Sequence, residues 1–453
     1  MQTTINVKHG NEKLVSQSGL LPVGALLESI KFAERFGNLS GVHCVGAKIS
    51  HGEILSSMVG LICVGKPDYS AIEYFRQDPL FFTQSLGIKN CPSQSTLRER
   101  IDLIGESANE IIKEASAEMI REHSPAISPI HTSAGNFIPL DMDVSPFDNS
   151  KTKKEGVSRT YKGCDGYAPM LGYLGTEGYL INVELRNGSQ HCQKNTPEFI
   201  ENILKLARQI TKDPLLIRLD SGNDSQDNFE VIGEWDGVDV LVKRNLRKES
   251  LYGWLSLAQN AKNVKVIRCP HKTVWIGQTT VGLKGQPLPR PIIFKATERY
   301  ESKGVPLLFP EIEIETYWCT VTGLNPDEVI CLYHDHGTSE QFHSEIKSDL
   351  GLERFPSCHF TSNSLILHLS LLAYNILRII GQVSLEEQDE DKLPINRRTK
   401  VSRRRLRTVI QDLMYMAGRL IYSGRQWFIS FGEVNPFAKL ADNVLQRLRC
   451  SPG

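Results

Sequence analysis

The stretch from residue 137 to residue 242 constrains the fold most, because strand and helix patterns follow one another there in a defined order. A strand pattern comes first, then a two-strand hairpin, then a helix, a strand, a helix and a strand. The ranges are 137–145, 167–174, 179–185, 196–211, 215–219, 229–235 and 238–242. A hairpin followed by alternating strands and helices predicts an α/β protein with a mixed sheet.

Acidic side chains stand where buried strands rarely carry them. Asp141 and Asp143 point the same way from the first strand, and Asp220 ends the strand at 215–219 before a Ser-Gly turn. An acidic face on an otherwise apolar strand is unusual unless a cation or solvent meets it. By analogy with an RNase H-like core, which has this order of elements, acids at the first and fourth strands are expected to lie close together.

A second chemically rich stretch is Y-H-D-H-G-T-S-E-Q-F-H-S-E-I-K. Tyr333, His336, Glu340 and Lys347 are separated by three, four and seven residues, which places all four on one face of an α-helix. An acid, an aromatic hydroxyl and two potential cations suit a surface that holds a metal ion and a phosphate together. The alternative is a solvated amphipathic helix.

Gly337 weakens a continuous helix through this stretch. The helix would then begin at Thr338 or Ser339, which are both good N-cap residues. In that case Tyr333 and His336 lie on the approach to it.

Size and composition are those of a globular protein. The 453 residues are too many for one ordinary core, so roughly two or three domains are expected. Apolar residues make up 40% and charged residues 23% of the chain, as in globular proteins. Lys plus Arg and Asp plus Glu both number 52, so a polyanion would have to bind local basic patches.

Cysteine usage and the apolar segments indicate a soluble protein of the cytoplasm, associated with the nucleoid if it binds DNA. The 10 cysteines include no CxxC pair, and the N-terminal residues MQTTINVKHG lack the apolar core of a signal peptide. The most apolar run, 365–380, is interrupted by polar residues and is too short to span a bilayer. It predicts a buried helix, and no membrane partner is expected.

The flanking regions are predicted to be helical. In the N-terminal region, Ser93 or Ser95 would cap a helix that carries Arg98 and Arg100. This arrangement predicts either a helix-turn-helix or a helical packing domain. In the C-terminal region an acidic segment, 386–391, precedes a cationic run that includes Arg403, Arg404 and Arg405. That run is either a solvated helix start or a contact to the phosphate backbone, which we favour.

Three motifs resemble those of bacterial insertion-sequence DDE transposases. They are D-M-D-V-S at 141–145, L-D-S-G at 219–222 and Y-(2)-H-(3)-E-(6)-K at 333–347. The group has an RNase H-like catalytic core, a β-strand insertion and the signature Y-(2)-R-(3)-E-(6)-K. The segments 161–175 and 184–191 look like this group too. Their order and gaps make the resemblance specific, and it covers residues 50–440.

The resemblance implies a catalytic triad of Asp143, Asp220 and Glu340 that holds two Mg²⁺ ions, with Mn²⁺ as a substitute. Asp143 is preferred to Asp141 because Asp143-Val144-Ser145 matches the family spacing, and Asp141 is expected beside it as a supporting residue. Hard carboxylate ligands suit Mg²⁺, whereas Cys and His do not.

The same resemblance implies several DNA contacts. Tyr333 and Lys347 would contact phosphates near the element's end. His336 stands where the family has Arg, and a neutral imidazole lacks the fixed charge and bidentate fork of Arg. Trp318, in the last strand of the insertion, either stacks on a flipped base or is a core tryptophan.

The implied reaction is cleavage of transposon-end DNA and joining of the freed 3′-OH to target DNA, by a homodimer in a synaptic complex. A catalytically silent transposase-derived DNA-binding protein and an RNase H-like nuclease are the alternatives. The predicted domains are a helical DNA-binding region at 1–135, the first part of the core at 136–243, a β-strand insertion at 244–330, the second part of the core with the catalytic Glu at 331–380, and a basic helical region at 381–453.

Overall fold

The structure is a computed structural model, and it describes residues 7–37, 39, 42, 47–281, 290–387 and 401–450. The chain divides into two compact units. The helical unit comprises 1–125, 153–155 and 345–453, and the sheet unit comprises 126–152 and 156–344. These bounds do not coincide with the five predicted domains, which stay a prediction.

A large mixed sheet organises the sheet unit. Nine of its strands are β1 (Gly135–Val144), β2 (Met170–Leu174), β3 (Tyr179–Glu184), β4 (Leu215–Leu219), β5 (Val238–Lys243), β6 (Lys265–Cys269), β7 (Lys272–Val281), β8 (Arg290–Ser302) and β9 (Val305–Cys319). Their spatial order is β6-β7-β8-β9-β5-β4-β1-β2-β3, and a short strand, Ile130–Thr132, pairs with β1.

The five strands β3-β2-β1-β4-β5 form the RNase H-like core that the sequence predicts. β2 is antiparallel to both β1 and β3, whereas β4 lies between β1 and β5 and is parallel to both. β4 is buried along its whole length, which explains why it reads as a nearly continuous apolar run. The antiparallel neighbours β1, β2 and β3 follow one another in the chain. The parallel strands β4 and β5 each come after a helix, because parallel neighbours need a crossover connection.

Helices cover the sheet and connect its strands. In the sheet unit they are α1 (Thr196–Ile210), α2 (Gln226–Gly233), α3 (Leu251–Asn260), α4 (Pro326–Asp335) and α5 (Ser339–Ser344). α1 has Pro197 in its first turn and buries one apolar face, as its 3.6-residue period predicts. A small sheet of Phe147–Asp148, Ser158–Arg159 and Asp165–Tyr167 completes the unit.

The insertion is rich in strands, as predicted, and it extends the core sheet. β9 pairs with β5, and β8, β7 and β6 follow outward from it. Alternation at 264–268, 291–297 and 311–320 predicts the strands observed as β6, β8 and β9, but β7 and α3 are not predicted from the sequence. β7 alternates too weakly to stand out, and it gains its partners only from β6 and β8 on either side.

The N-terminal part of the helical unit is mostly helical, as predicted. Its helices are Leu20–Ser29, His51–Cys63, Ile72–Arg76, Pro79–Leu86, Gln94–Ile104 and Asn109–His123, with 3₁₀ turns at Phe32–Phe36, Tyr69–Ala71 and Gly105–Ala108. Ser93 caps the fifth helix by accepting a hydrogen bond from the Thr96 N–H at 3.1 Å. Arg100 is buried and donates to the Ile49 carbonyl, which favours the packing-domain alternative for this region.

The longest helix, Phe360–Glu386, runs through the helical unit. Length and composition alone would allow it to cross a membrane, but its most apolar window is completely buried inside the protein. The predicted buried helix is therefore confirmed, although it begins at Phe360 and extends further than the apolar run.

The C-terminal region is less helical than predicted. After Leu406–Val409 and a π-helical turn, Ile410–Met414, the strands Gly418–Ser423 and Gln426–Phe431 form a hairpin before the helix Ala438–Cys450. Residues 388–400, with most of the predicted acidic linker and the start of the cationic run, lie outside the described residues. The nine cysteines that the structure describes are free.

Candidate active site

Two of the predicted catalytic acids lie at the same edge of the sheet. Asp143 is the last residue but one of β1, and Asp220 directly follows β4. Because β1 and β4 are parallel neighbours, their carboxyl ends meet at one edge. Asp220 Oδ1 accepts hydrogen bonds from the Gly222 N–H at 3.1 Å and from Asn223 Nδ2 at 2.8 Å, which fixes the carboxylate.

The pKa of Asp143 reflects its position beside Asp220. Burial, and then the negative charge of Asp220, raises the pKa of Asp143 to about 6. Asp143 Oδ1 accepts from the Val144 N–H at 2.7 Å, and the buried His343 places Nε2 3.8 Å from Oδ2. Two like charges in a partly dry site repel each other, so this edge of the sheet favours a cation.

Tyr161 contacts β1 through its hydroxyl, at the residue that follows Asp143. Its ring is largely exposed, but its hydroxyl donates to the Val144 carbonyl at 3.2 Å. Burial of the hydroxyl end, followed by the charges of Asp143, Asp220 and Glu340, raises the pKa of Tyr161. The negative charges of all three acids therefore act on the pKa of one hydroxyl, although Glu340 lies 120 positions after Asp220 in the sequence.

Glu340 is not on one continuous helix with Tyr333 and His336. α4 ends at Asp335, a 3₁₀ turn spans His336–Thr338, and α5 begins at Ser339, which matches the alternative in which Gly337 weakens the helix. The 3₁₀ turn changes the rotation per residue, so the single helix face predicted from the spacing is wrong. Glu340 is exposed in the first turn of α5.

A buried polar network lies beside the acids. Arg218 donates to Asp141 through Nε and Nη2, both at 2.6 Å, and its Nη1 donates to the Leu332 carbonyl at 2.8 Å. His336 Nδ1 lies 2.8 Å from Asp141 Oδ1 and must donate, because an ionised carboxylate only accepts. Burial alone would raise the pKa of Asp141, but the charges of Arg218 and His336 lower it.

The direct phosphate contact predicted for His336 is therefore corrected. The residue is only 6% exposed, and its Nδ1 faces Asp141 rather than solvent. Sequence reasoning missed Arg218, although a single charge in the apolar run L-L-I-R-L was a usable signal, because a buried Arg needs a partner. It expected Asp141 to be a supporting residue, and the network gives that residue its partners.

Tyr333 and Lys347 keep their predicted roles as predictions. Tyr333 is half-buried in α4 and packs on Tyr317 with ring centroids 5.0 Å apart. Burial, and then the charges of Asp220 and Asp143, raises the pKa of Tyr333, so its hydroxyl lies within the field of the acid pair. Lys347 belongs to the helical unit, on the π-helical segment Glu345–Asp349.

Trp318 is a core residue in this structure. It is 6% exposed in β9, and it packs in a buried cluster with Ile292 and Phe294. The Arg244 guanidinium lies 5.4 Å from its ring centroid. The core alternative thus describes its position, and base stacking by Trp318 stays a prediction.

The phosphate contacts predicted for Arg403 and Arg404 are also corrected. Arg404 is 2% exposed, and Arg403 donates from Nη1 to Glu345 Oε1 at 2.8 Å. Arg405 is half-exposed and grips Asp349 through Nε at 2.8 Å and Nη2 at 3.0 Å. Buried carboxylates such as Glu345 and Asp349 require counter-charges, and Arg403 and Arg405 supply them.

The fit to a metal ion rests on the acid pair. In the part of the chain that the structure describes, no group of three or more His, Cys, Asp or Glu side chains is arranged to hold a metal ion. Asp143 and Asp220 nevertheless supply hard oxygen donors whose mutual repulsion a divalent cation would relieve. The donor chemistry therefore fits Mg²⁺ or Mn²⁺, and α5, which carries Glu340, packs against β1, which carries Asp143.

Comparison with known proteins adds the family. No curated protein matches the sequence. One similar solved structure is a cryo-EM structure of the piggyBac transposase synaptic complex with hairpin DNA, with 10% sequence identity and a TM-score of 0.37, covering 88% of this chain and 80% of that chain. A likeness at this level transfers no residue role. The family model described as transposase DDE domain group 1 matches residues 1–452, and the chain therefore belongs to this family of DDE transposases.

Proposed function

We propose that this protein is the DNA transposase of an insertion sequence, which cuts the transposon ends and joins each freed 3′-OH to target DNA. The observation that carries the proposal is that Asp143 and Asp220 lie at one edge of the sheet, at the carboxyl ends of the parallel strands β1 and β4, in a chain that belongs to the DDE family. Phosphodiester cleavage by such a site requires carboxylates that hold divalent cations beside the scissile phosphate.

Asp143, Asp220 and Glu340 are the residues that would hold the metal. Bound Mg²⁺ would activate the attacking oxygen and stabilise the leaving oxygen of an in-line displacement. The Asp220 carboxylate is already oriented for this role, because the Gly222 N–H and the Asn223 amide both donate hydrogen bonds to Oδ1. Asp143 must be deprotonated to act as a ligand, and its pKa of about 6 leaves it ionised at neutral pH.

Residues around the acids suit a DNA substrate. The Lys162 ammonium lies 5.9 Å from the Tyr161 ring centroid and its charge lowers the pKa of Asp143, so it acts on the same site. Tyr333 would offer its hydroxyl to a phosphate oxygen. Lys347, in the helical unit, is proposed separately as a phosphate contact. We further propose that two copies of the chain act together, because two transposon ends must be held for a paired insertion.

The test is cleavage of end DNA by the Asp220→Asn variant of the full chain. A neutral amide at this position keeps the size of the side chain and removes a charged metal ligand, so cleavage with Mg²⁺ is expected to fall below detection. Binding of uncut end DNA is expected to stay within about threefold, because phosphate contacts dominate affinity for DNA. Cleavage is measured on labelled end DNA, and binding by gel shift.

The matched control is Asp227→Asn, which makes the same substitution at an exposed position of α2 in the same unit. It should cut at the wild-type rate. Wild-type-like cutting by Asp220→Asn would refute the triad. A wild-type chain that binds DNA but does not nick it with Mg²⁺ or Mn²⁺ would favour the silent DNA-binding alternative, and preferred cutting of RNA–DNA hybrids would favour the nuclease.

A further inference from the structure

The buried network of Asp141, Arg218 and His336 touches all three elements that carry the acids. Asp141 lies two residues before Asp143 on β1, and Arg218 lies two residues before Asp220. His336 lies four residues, about one turn, before Glu340. Each acid thus has one member of the network a short, fixed distance before it on the same segment.

The backbone of β1 and β4 fixes where Asp143 and Asp220 lie relative to Asp141 and Arg218. Asp141 and Arg218 are directly paired across the parallel strands β1 and β4. Residues two apart on a strand point to the same side, and Asp220 continues the extended backbone of β4 with φ −78° and ψ 174°. The bidentate contact between Arg218 and Asp141 therefore joins the side chains of β1 and β4 directly beneath the acid pair.

The same contacts hold the helical side of the site. Arg218 Nη1 donates to the Leu332 carbonyl in α4, and His336 donates from the 3₁₀ turn that leads into α5. Both helices are therefore attached to the Arg218–Asp141 pair through side chains that are at most 8% exposed. Rotation or sliding of the turn would break the His336 bond before it moved Glu340.

Stability alone does not explain such a network. Burying an ion pair costs desolvation energy, and apolar residues of similar volume often give equal or greater stability. Residues that support metal ligands, in contrast, orient them, and their loss typically reduces metal affinity or activity by about 10–100-fold.

We propose that Asp141, Arg218 and His336 form a positioning network that holds the turn before α5 against the strand pair β1 and β4, in the position that metal binding by Asp143, Asp220 and Glu340 requires. The proposal rests on the proposed function, and it assigns His336 a role different from a phosphate contact. His336 acts through Asp141 and does not touch DNA.

The test compares two substitutions of His336 in the full chain. His336→Phe keeps an aromatic ring beside Tyr333, 5.9 Å away between centroids, but removes the donor to Asp141. His336→Asn offers an amide N–H close to the position of Nδ1. The probe is MnCl₂ alone, and its dissociation constant is measured by calorimetry without DNA. Gel shift gives the affinity for end DNA, and thermal unfolding without metal gives the stability.

The expected result is about 10–100-fold weaker Mn²⁺ binding for His336→Phe, with recovery to within about threefold of wild type in His336→Asn. Affinity for end DNA should stay within about twofold for both. His334→Phe, the same change at an exposed position two residues away, is the matched control and should bind Mn²⁺ like wild type.

Three outcomes would overturn the positioning role. Unchanged Mn²⁺ affinity in His336→Phe with a lower melting temperature would make the network merely structural. Lost DNA affinity with unchanged Mn²⁺ affinity would restore a phosphate contact. Equal loss in His336→Phe and His336→Asn would show that the donor is not what matters. Failure of the proposed function looks different, because Asp220→Asn would then bind Mn²⁺ as the wild type does.

Discussion

Replacing Asp143 by Asn should make the protein more stable while abolishing its reaction. The folded state raises the pKa of this carboxyl from about 3.8 to about 6, by burial and by the charge of Asp220. An ionised Asp143 at neutral pH therefore costs folding free energy, roughly 3 kcal/mol if the whole change in pKa is counted. Asn removes the charge and keeps an oxygen that can accept from the Val144 N–H.

Because the pKa of Asp143 is raised in the folded state, the stability of the protein depends on pH. Below about pH 4 the carboxyl is protonated in both folded and unfolded chains, so it costs nothing. Between about pH 4 and 6 the unfolded chain loses this proton first, and stability falls as the pH rises. The cost is complete above the folded pKa of about 6. We therefore expect Asp143→Asn to gain about 1–3 kcal/mol at pH 7.5 and less than about 1 kcal/mol at pH 4.5.

Urea unfolding with EDTA present, at both pH values, measures this difference. Tryptophan fluorescence is a suitable signal, because four of the five tryptophans belong to the sheet unit; they are Trp235, Trp254, Trp275 and Trp318. Asp227→Asn serves again as the control and should leave the pH dependence unchanged. An Asp143→Asn variant that is no more stable than wild type at pH 7.5, or whose gain is equal at both pH values, would refute the electrostatic reasoning.

Two further predictions concern closely packed positions, one in each unit. Glu345→Gln should destabilise the helical unit by about 3–5 kcal/mol, because it leaves the fully buried Arg378 without its carboxylate partner; chemical denaturation followed by circular dichroism measures the loss. Gly178→Ala should reduce end cleavage at least about tenfold, since Gly178 has φ +71° and an added Cβ would lie 2.3 Å from the ring of Phe342, two residues after Glu340; a cleavage time course measures it.

Matched controls separate these effects from general damage. Glu118→Gln breaks the partly exposed pair with Arg35 and should cost less than about 1 kcal/mol, so an equal loss would contradict the argument from burial. Gly233→Ala adds a methyl group where no described atom lies within 4 Å. If Gly178→Ala cleaves as fast as Gly233→Ala, close packing behind α5 does not position Glu340.

Local sequence patterns predicted the core of the fold. The alternation at 137–145, the Gly-bounded hairpin and the apolar run L-L-I-R-L predicted β1, β2, β3 and β4 nearly residue by residue. Strands of this kind are determined by which face is buried, and burial leaves a period of two or a continuous apolar run in the sequence. β7 and the C-terminal hairpin escaped because their strands gain stability from neighbours that local sequence does not specify.

Charged side chains were harder to interpret than apolar ones. Arg403 and Arg404 read as a surface for phosphate, but one bonds to Glu345 and the other is almost completely buried. A cationic run looks the same in sequence whether its partners are nucleic acid or carboxylates elsewhere in the chain. His336 shows the same ambiguity, since its partner Asp141 lies 195 residues earlier.

The sequence by itself determined the order of strands and helices and indicated the family, because these depend on periodicity and on short motifs; the three acids are what that resemblance implies. Only the tertiary structure decided that Asp143 and Asp220 share one edge of a sheet, that Glu340 starts a new helix after a 3₁₀ turn, and that Arg218 and His336 converge on Asp141. The physical reason is that the energy of a charge depends on what lies within a few ångströms of it, and in this chain those neighbours come from distant segments.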